Sequence, residues 1–196
     1  MDGDPANILM PSINASATDS VLVAKLQQDD RLAFDELYER YKNGVYTYCV
    51  RLLADSAAAE DATQVSFMKM FEGIRSIRQP ELFRAWLFRI ARNEALSRIR
   101  KTRKNGQIDD EAVWDSDTPH ERFVTNETSE IVRRLLQELK QEYREVLVLR
   151  EYEQMTYAEI ADVTETTESS VKSRIFKARK VLAARLKPFF QQERSL

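Results

Sequence analysis

Side chains that could contact nucleic acid recur along the last helical segment that the sequence predicts, residues 168–186. At 100° per residue, one narrow arc of this segment holds the apolar positions Val171, Ile175, Ala178 and Leu182,. The opposite side carries Ser169, Lys172, Ser173, Phe176 and Lys180, and it is flanked by Lys177 and Arg179. Lysine and serine reach phosphates and base edges in a major groove, where an aromatic ring can contact thymine methyl groups. We therefore expect this face to bind DNA. The alternative is a solvated basic helix whose Phe176 packs against another domain.

The residues before this segment predict a helix-turn-helix. In "TYAE" (156–159), Thr156 and Glu159 have the spacing of a capping box, which marks a sharp helix start,. The short helix that follows ends at "TETT", where Thr167 can cap the next one. Two short helices with such a joint are typical of the motif. Glu165 lies in the turn, where glycine usually supplies a positive φ,.

A second cationic helix is predicted over "FRAWLFRIARNEALSRIRKTRK", residues 83–104. One side carries Phe83, Trp86, Leu87 and Ile90, and the other carries Arg89, Arg92, Arg100 and Arg103. A stripe of arginines suits a phosphate backbone, because guanidinium groups bind phosphate through paired hydrogen bonds. On the flank, Trp86 and Asn93 could stack on and hydrogen-bond to exposed bases. The alternatives are a core position for Trp86 and an ordinary surface role for Asn93.

A third helix, within "DSAAAEDATQVSFMKMFEGI", has a different character. Its polar side presents Glu60, Asp61, Gln64 and Lys69, and its apolar positions are predicted to be Ala62, Val65, Met68 and Phe71. Such a helix could be solvated or could bind a basic protein partner. The pattern alone favours solvation.

These helices belong to an all-α architecture of two small domains joined by a flexible acidic linker. Four Gly and five Pro in 196 residues argue against a turn-rich β fold, and apolar spacings of three and four recur along the chain,. We predict a disordered extension at 1–18, a helical domain at 19–104, the linker at 105–125, a helix-turn-helix domain at 126–187 and a tail at 188–196. The net charge is −2, but the basic residues cluster in the two cationic helices and the linker is acidic.

Composition also indicates which classes to set aside. No apolar run approaches the roughly 20 residues of a membrane helix, and the polar start lacks a signal-peptide pattern, so we expect a cytoplasmic protein without membrane insertion,. The single cysteine, Cys49, fits a reducing compartment and is predicted to be a buried thiol,. The single histidine, His120, lies in the acidic linker without Cys or His neighbours. We therefore expect no metal, no cofactor and no catalytic residues, and an enzyme is the weakest alternative.

Four segments in order resemble the bacterial sigma factors of the extracytoplasmic-function (ECF) group: "AFDELYERY", "AEDATQVSFMKMF", "FRAWLFRIARNEALSRIR" and "TYAEIADVTETTESSVKSRIFKARKVL". The resemblance spans roughly residues 20–187. It implies a promoter-specificity subunit of RNA polymerase, with sigma region 2 in the N-terminal domain and region 4 in the C-terminal domain. The sequence departs from the family pattern in three places: Val65 replaces an acidic residue, Glu165 replaces the turn glycine, and no proline follows Leu139.

The resemblance assigns roles to three groups of residues. It implies that the clamp helices of the polymerase contact Asp61, Gln64, Phe67 and Lys69. It implies that the loop 75–82 holds a flipped base and that −10 DNA is contacted by Trp86, Arg89, Arg92, Asn93 and Arg100. The −35 element would be read by the face of the recognition helix listed above, chiefly Lys172, Ser173, Phe176 and Lys177.

The implied partners are core RNA polymerase, promoter DNA and an anti-sigma factor, with the free protein a monomer. We expect the free protein to bind promoter DNA weakly, because its net charge is slightly negative and the acidic linker can compete for the basic faces. The rival hypothesis is a conventional regulator, a dimer with a helical input domain and a helix-turn-helix output domain. An arginine stripe in the N-terminal half argues against it, since an input domain needs no second DNA-binding face.

Overall fold

The computed structural model describes residues 17–104 and 127–192, and within these ranges the chain is helical without a strand. The N-terminal domain contains α1 (Asp19–Leu26), α2 (Arg31–Leu53), α3 (Ser56–Gly73) and α4 (Phe83–Lys104). Two single 3-10 turns, Ile74–Ser76 and Pro80–Leu82, join α3 to α4. The C-terminal domain contains α5 (Glu127–Gln137), α6 (Gln141–Glu151), α7 (Tyr157–Thr164) and α8 (Glu168–Gln192).

Side-chain caps set where the long N-terminal helices begin. Asp30 accepts a hydrogen bond from the amide of Leu32 at 3.0 Å, and Asp55 accepts one from the amide of Ala58 at 2.9 Å,. The helices α2, α3 and α4 then enclose a core that includes Leu37, Tyr48, Met70, Phe83 and Phe88. Cys49 is fully buried in this core, as predicted, and burial raises the pKa of its thiol to about 12,.

The capping box predicted at the start of α7 is confirmed. The Thr156 hydroxyl accepts from the amide of Glu159 at 3.2 Å, while the Glu159 carboxylate accepts from the Thr156 amide at 2.7 Å,. α7 ends at Thr164, and the next residue, Glu165, has φ 53° and ψ 46°, so a glutamate does occupy the left-handed turn position,. The helix-turn-helix is therefore α7, this turn and α8.

Some of the predicted segment boundaries differ from the structure or lie beyond it. α8 continues to Gln192, so residues 188–192 of the predicted tail are helical. Only Ala17 and Thr18 of the predicted extension are among the described residues, and the predicted linker 105–125, with His120, lies outside them.

The two domains pack directly against each other, which the sequence does not predict. α4 contacts α7, and α2 contacts α5 and α6. One continuous cluster of buried apolar side chains includes Phe88 and Ala91 from the N-terminal domain and Val146, Met155 and Ile160 from the C-terminal domain. The described residues therefore form a closed arrangement in which the interior of one domain continues into the other.

Candidate functional site

The outward face of α8, which the sequence predicts to be cationic, is exposed in the structure. Val171, Ile175 and Ala178 are buried against the rest of the domain, while Phe176 is 70% exposed. The polar members of the same face are also exposed: Ser169, Lys172, Ser173, Lys177 and Lys180. The predicted orientation of α8 is confirmed, and the alternative that Phe176 packs against another domain is wrong. The exposed ring and the lysines around it are together available to a partner of this face.

Contacts within the domain hold some of the neighbouring cations in place. The Lys172 ammonium lies 3.5 Å from the Glu168 carboxylate and 5.4 Å from the ring centre of Tyr157. Arg179 donates to Glu151 at 2.6 Å, and this hydrogen bond raises the pKa of its guanidinium. These contacts lie at the surface, where DNA phosphates can compete with the carboxylates at little cost.

A cavity of about 530 Å³ lies between the loop after α3 and the start of α4. Its walls include Arg78, Gln79, Trp86 and Arg89, and Asp162 from α7 completes them. Trp86 is only half-buried, so the structure supports neither a sealed core position nor a fully open stacking platform. The cavity has one aromatic wall and one arginine wall, which suit an unstacked base and its phosphate.

The predicted arginine stripe on α4 is only partly accessible. Asn93 and Arg100 are exposed and Arg89 is half-buried. Arg92 differs, because its side chain is only 16% exposed and its Nε donates to the Glu145 carboxylate on α6. The prediction that Arg92 faces outward with the stripe is therefore wrong for this arrangement. The C-terminal domain covers that position, and a charged group buried at such a boundary requires a counter-charge.

Glu145 is the most deeply buried carboxylate of this contact, with a side chain that is 2% exposed. The Tyr48 hydroxyl lies 3.3 Å from one of its oxygens. Burial raises the pKa of Glu145 above its ordinary value, and the nearby Arg92 charge opposes this effect,. Sequence reasoning missed Glu145 because its partners lie 53 and 97 residues away along the chain.

A groove of about 1030 Å³ lies between α2 and α3, and its lining residues come from these two helices. Its apolar lining consists of Phe34, Tyr38, Phe67, Met68 and Phe71. Met68 and Phe71, which belong to the predicted apolar side of α3, are 55% and 50% exposed. The buried face of α3 consists of Ala59, Ala62, Ser66, Phe67 and Met70, so it shares only Ala62 with the predicted apolar side.

Of the residues assigned to polymerase contact, Gln64 and Phe67 line this groove. Asp61 and Lys69 are exposed beside α4 instead, where they pair with Arg98 and Glu94. Phe67 is only 3% exposed, because it packs edge-on against Tyr38 with ring centres 4.8 Å apart. Phe67 is therefore a floor residue that shapes the groove, and the exposed apolar contacts come from Met68 and Phe71. Their spacing of three residues also fits a helix face that packs into a core, so the pattern alone does not distinguish a core face from a partner-binding face.

Two features of residues 17–104 and 127–192 concern membrane spans and metal binding. None of their helices is long and apolar enough to cross a membrane. Within the same ranges, no three His, Cys, Asp or Glu side chains come together in a group that could hold a metal ion.

Comparison with known proteins matches both halves of the chain. The family "Sigma-70 region 2" matches residues 37–105, and "Sigma-70, region 4" matches residues 129–182. The RNA polymerase sigma-H factor of Pseudomonas aeruginosa is 30% identical over 186 residues, which cover 89% of this chain and 96% of that protein. The chain belongs to the ECF sigma factors. The ECF sigma factor SigW of Bacillus subtilis is 28% identical over 177 residues, 84% of this chain and 95% of that protein.

Solved structures agree with the fold of this sigma factor. CnrH, in complex with the cytosolic domain of CnrY, has a TM-score of 0.68 at 24% identity, covering 87% of this chain and 97% of that one. The Bartonella quintana sigma factor RpoE, in complex with the anti-sigma factor NepR, has the same TM-score and identity, covering 79% and 96%. As a sigma factor, the protein binds core RNA polymerase, recognises −35 and −10 promoter elements and helps to initiate transcription. It belongs with transcription regulators rather than enzymes.

Proposed function

We propose that this sigma factor reads the −35 element with the outward face of α8. The observation that carries the proposal is the 70% exposure of Phe176 among the lysines and serines of that face. A ring in this position can contact thymine methyl groups, while Lys172 and Ser173 reach base edges and Lys177 and Lys180 reach phosphates. A helix-turn-helix presents its second helix to the major groove in this way.

The proposed −10 surface is the cavity and the exposed part of α4. The cavity's Trp86 and Arg89 would hold a base that leaves the stack, and Asn93 and Arg100 would contact the strand beside it,. Capture of a base offsets part of the unstacking cost, which is a few kcal/mol per base. Arg92 would join this surface only when Glu145 no longer holds it.

The groove between α2 and α3 is proposed as the contact with core polymerase. Exposed Met68 and Phe71 give it an apolar centre, and Gln64 is a polar residue of its lining. Asp61 and Lys69 are exposed on the neighbouring side of α3 and would extend the contact towards α4. This combination is typical of protein interfaces, in which a few buried apolar anchors supply most of the affinity.

The remaining partners are inferred from relatives. The sigma factors with similar folds are bound to CnrY and to the anti-sigma factor NepR. We infer that an anti-sigma factor binds this protein, that the free protein is a cytoplasmic monomer, and that it performs no bond chemistry.

The decisive experiment is transcription in vitro with core polymerase on a library of promoters. Phe176→Ala and Lys172→Ala should lose −35 selectivity while their affinity for core polymerase is unchanged. Phe189→Ala is the matched control, because Phe189 is another exposed phenylalanine of α8 and lies outside the proposed face. If the Phe176 and Lys172 variants select the same promoters as the unmodified protein, the assignment of the −35 face is wrong.

A further inference from the structure

The turn between α1 and α2 holds the loop that forms one wall of the cavity beside Trp86. Gln27, the residue that follows α1, donates from its side-chain nitrogen to the backbone carbonyls of Ile74 and Ile77, each at 3.0 Å. A primary amide suits this contact, because its single nitrogen carries two N–H groups that point in different directions. Both donors of Gln27 are therefore used on one loop, and we name Gln27 with these two hydrogen bonds the tether.

The two carbonyls that accept from the tether bracket a tight turn of the loop. Ile74 begins the 3-10 turn Ile74–Ser76, and Ile77 follows it in an extended conformation. The side chain of Ile74 is buried, and its carbonyl also accepts from the amide of Ile77 at 3.2 Å. Since a carbonyl oxygen can accept two hydrogen bonds, the tether adds to this turn without displacing its internal bond.

The same turn between α1 and α2 makes a second, weaker contact with the loop. One guanidinium nitrogen of Arg75 lies 2.7 Å from both carboxylate oxygens of Asp29. Both side chains are exposed, so the pair contributes little to stability by itself,. The hydrogen bonds of Gln27 are partly buried, and the loop therefore depends mainly on the tether,.

The tethered segment leads directly into the wall of the cavity. Ile77, Arg78 and Gln79 are consecutive lining residues, and Arg78 and Gln79 are exposed. At the other end of the segment, Gly73 lies against Trp86, because a Cβ at Gly73 would be 3.2 Å from the indole ring. The tether therefore sets how the loop wall and the indole wall of the cavity face each other.

We propose that Gln27 is a positioning residue for −10 recognition: its two hydrogen bonds hold the loop in the shape that receives an unstacked base. This inference rests on the proposed −10 role of the cavity. A wall that is ordered before the base arrives binds it more tightly, because the loop loses less conformational freedom on binding. The match to sigma region 2 begins at residue 37, so Gln27 and the whole of α1 lie outside the matched residues.

Gln27→Glu removes the tether with almost no change in the shape of the side chain. A carboxylate has no N–H to donate, and its oxygens would face the two carbonyl oxygens of the loop. Gln28→Glu is the matched control, because it makes the same change at the next residue, which is exposed. Gln27→Met is a second variant that removes the donors without adding charge, so it replaces Gln27→Glu if that variant fails to fold.

Amide hydrogen exchange in the free full-length protein tests the tether itself. In Gln27→Glu and Gln27→Met, the amide of Ile77 should exchange about tenfold faster, the change expected from two lost hydrogen bonds of ordinary strength. Exchange at Tyr48 in α2 should be unchanged, and Gln28→Glu should match the unmodified protein at both amides. Unchanged exchange at Ile77 would overturn the tether. Faster exchange at both amides would show a general loss of stability and would also overturn it.

Transcription with core polymerase on a library of promoters tests the role in recognition. Gln27→Glu should lower transcription about tenfold and weaken the base preference within the −10 element, while the −35 preference and the affinity for core polymerase stay unchanged. A purely structural defect would instead lower transcription from every promoter without altering base preference. Gln27→Glu combined with Gln79→Ala should do little more than Gln79→Ala alone, since both changes act on the same wall.

The outcomes separate this inference from the function on which it rests. An unaltered −10 preference in Gln27→Glu, or losses that add fully in the double variant, would overturn the positioning role. Failure of the proposed function has its own signature, since Trp86→Ala would then keep the −10 preference of the unmodified protein. If Trp86→Ala loses that preference and Gln27→Glu keeps it, the positioning role alone fails.

Discussion

The hydroxyl of Tyr48 on α2 lies 3.3 Å from the carboxylate of Glu145 on α6, a contact that joins residues 97 positions apart. Burial and the charge of Glu145 together raise the pKa of Tyr48 well above its ordinary value,. The hydroxyl therefore stays protonated over the whole physiological range and can always donate. This contact belongs to the boundary between the domains, so titration of Glu145 should report on that boundary.

The first prediction concerns the pH dependence of stability. The pKa of Glu145 is raised above 4.5, chiefly by burial, and that of Glu153 is raised for the same reason. The unfolded chain loses these protons near pH 4.5, whereas the folded protein holds them to higher pH,. Their stabilising contribution is therefore complete below that pH and is lost as pH rises through the raised values.

Urea unfolding between about pH 4.5 and 8 tests this sign. The free energy of unfolding of Glu145→Gln, relative to that of the unmodified protein, should rise with pH, because glutamine has no proton to lose. Glu138→Gln serves as a control at an exposed ion pair. A difference in the free energy of unfolding between Glu145→Gln and the unmodified protein that stays constant with pH would contradict the raised pKa.

The second prediction concerns the groove between α2 and α3. Phe71→Ala should weaken binding of core polymerase by about tenfold or more, since truncating an aromatic anchor commonly costs 1–2 kcal/mol or more. Its effect on unfolding should stay within about 1 kcal/mol, because the side chain is half exposed,. Equilibrium binding of labelled core polymerase provides the measurement.

Phe67→Ala is the comparison variant, because it removes the buried floor of the same groove. Phe67 is buried, so its truncation should cost about 3 kcal/mol of folding free energy,. If Phe71→Ala instead unfolds the domain and leaves polymerase affinity unchanged, the groove is a structural feature rather than a partner surface.

The third prediction concerns the turn between α7 and α8. Glu165 has a φ of 53°, a conformation that costs an L-residue roughly 1 kcal/mol or more relative to glycine,. Glu165→Gly should raise the free energy of unfolding by about 1 kcal/mol, partly offset by the greater freedom of glycine in the unfolded chain. Glu165→Ala should give no such gain, since alanine also carries a Cβ. If urea titrations give the Glu165→Ala and Glu165→Gly variants equal free energies of unfolding, the positive φ is not the cause of any gain in stability.

The fourth prediction concerns Cys49. Its pKa of about 12 and its complete burial should make it unreactive towards a thiol reagent at pH 8,. Glu72→Cys should react rapidly under the same conditions, because position 72 is exposed. With an aromatic disulfide as the reagent, the absorbance of the aromatic thiolate that it releases follows both reactions. Cys49 should react only after addition of urea. Rapid labelling of native Cys49 would contradict the core described here.

Local features were predictable because their causes lie within a few residues. The capping box of Thr156 and Glu159 and the buried stripe of α8 both depend on spacings of three or four. The same reasoning did not identify the buried face of α3, because it grouped exposed Met68 and Phe71 with buried Ala62 on one apolar side. A partner-binding face and a core face have the same hydropathy, and only the packing of α2 distinguishes them.

The arginine stripe shows a different limit of sequence reasoning. The alignment of Arg89, Arg92 and Arg100 on α4 follows from helix geometry, and the exposure of Arg100 agrees with it. The burial of the Arg92 side chain depends on its ion pair with Glu145, which lies in the other domain. Nothing in the local pattern specifies which carboxylate an arginine will meet across a linker, so the closed arrangement became visible only in three dimensions.

The close approach of Gly44 to Glu153 bears on how interchangeable the two halves of such proteins are. In a chimera that joins this N-terminal half to a relative's C-terminal half, other side chains would replace Glu153 beside Gly44 and Glu145 beside Arg92. Its promoter preference would then change through domain coupling as well as through base recognition. An exchange of halves that preserves promoter preference therefore has to keep the residues on both sides of the contact between the domains.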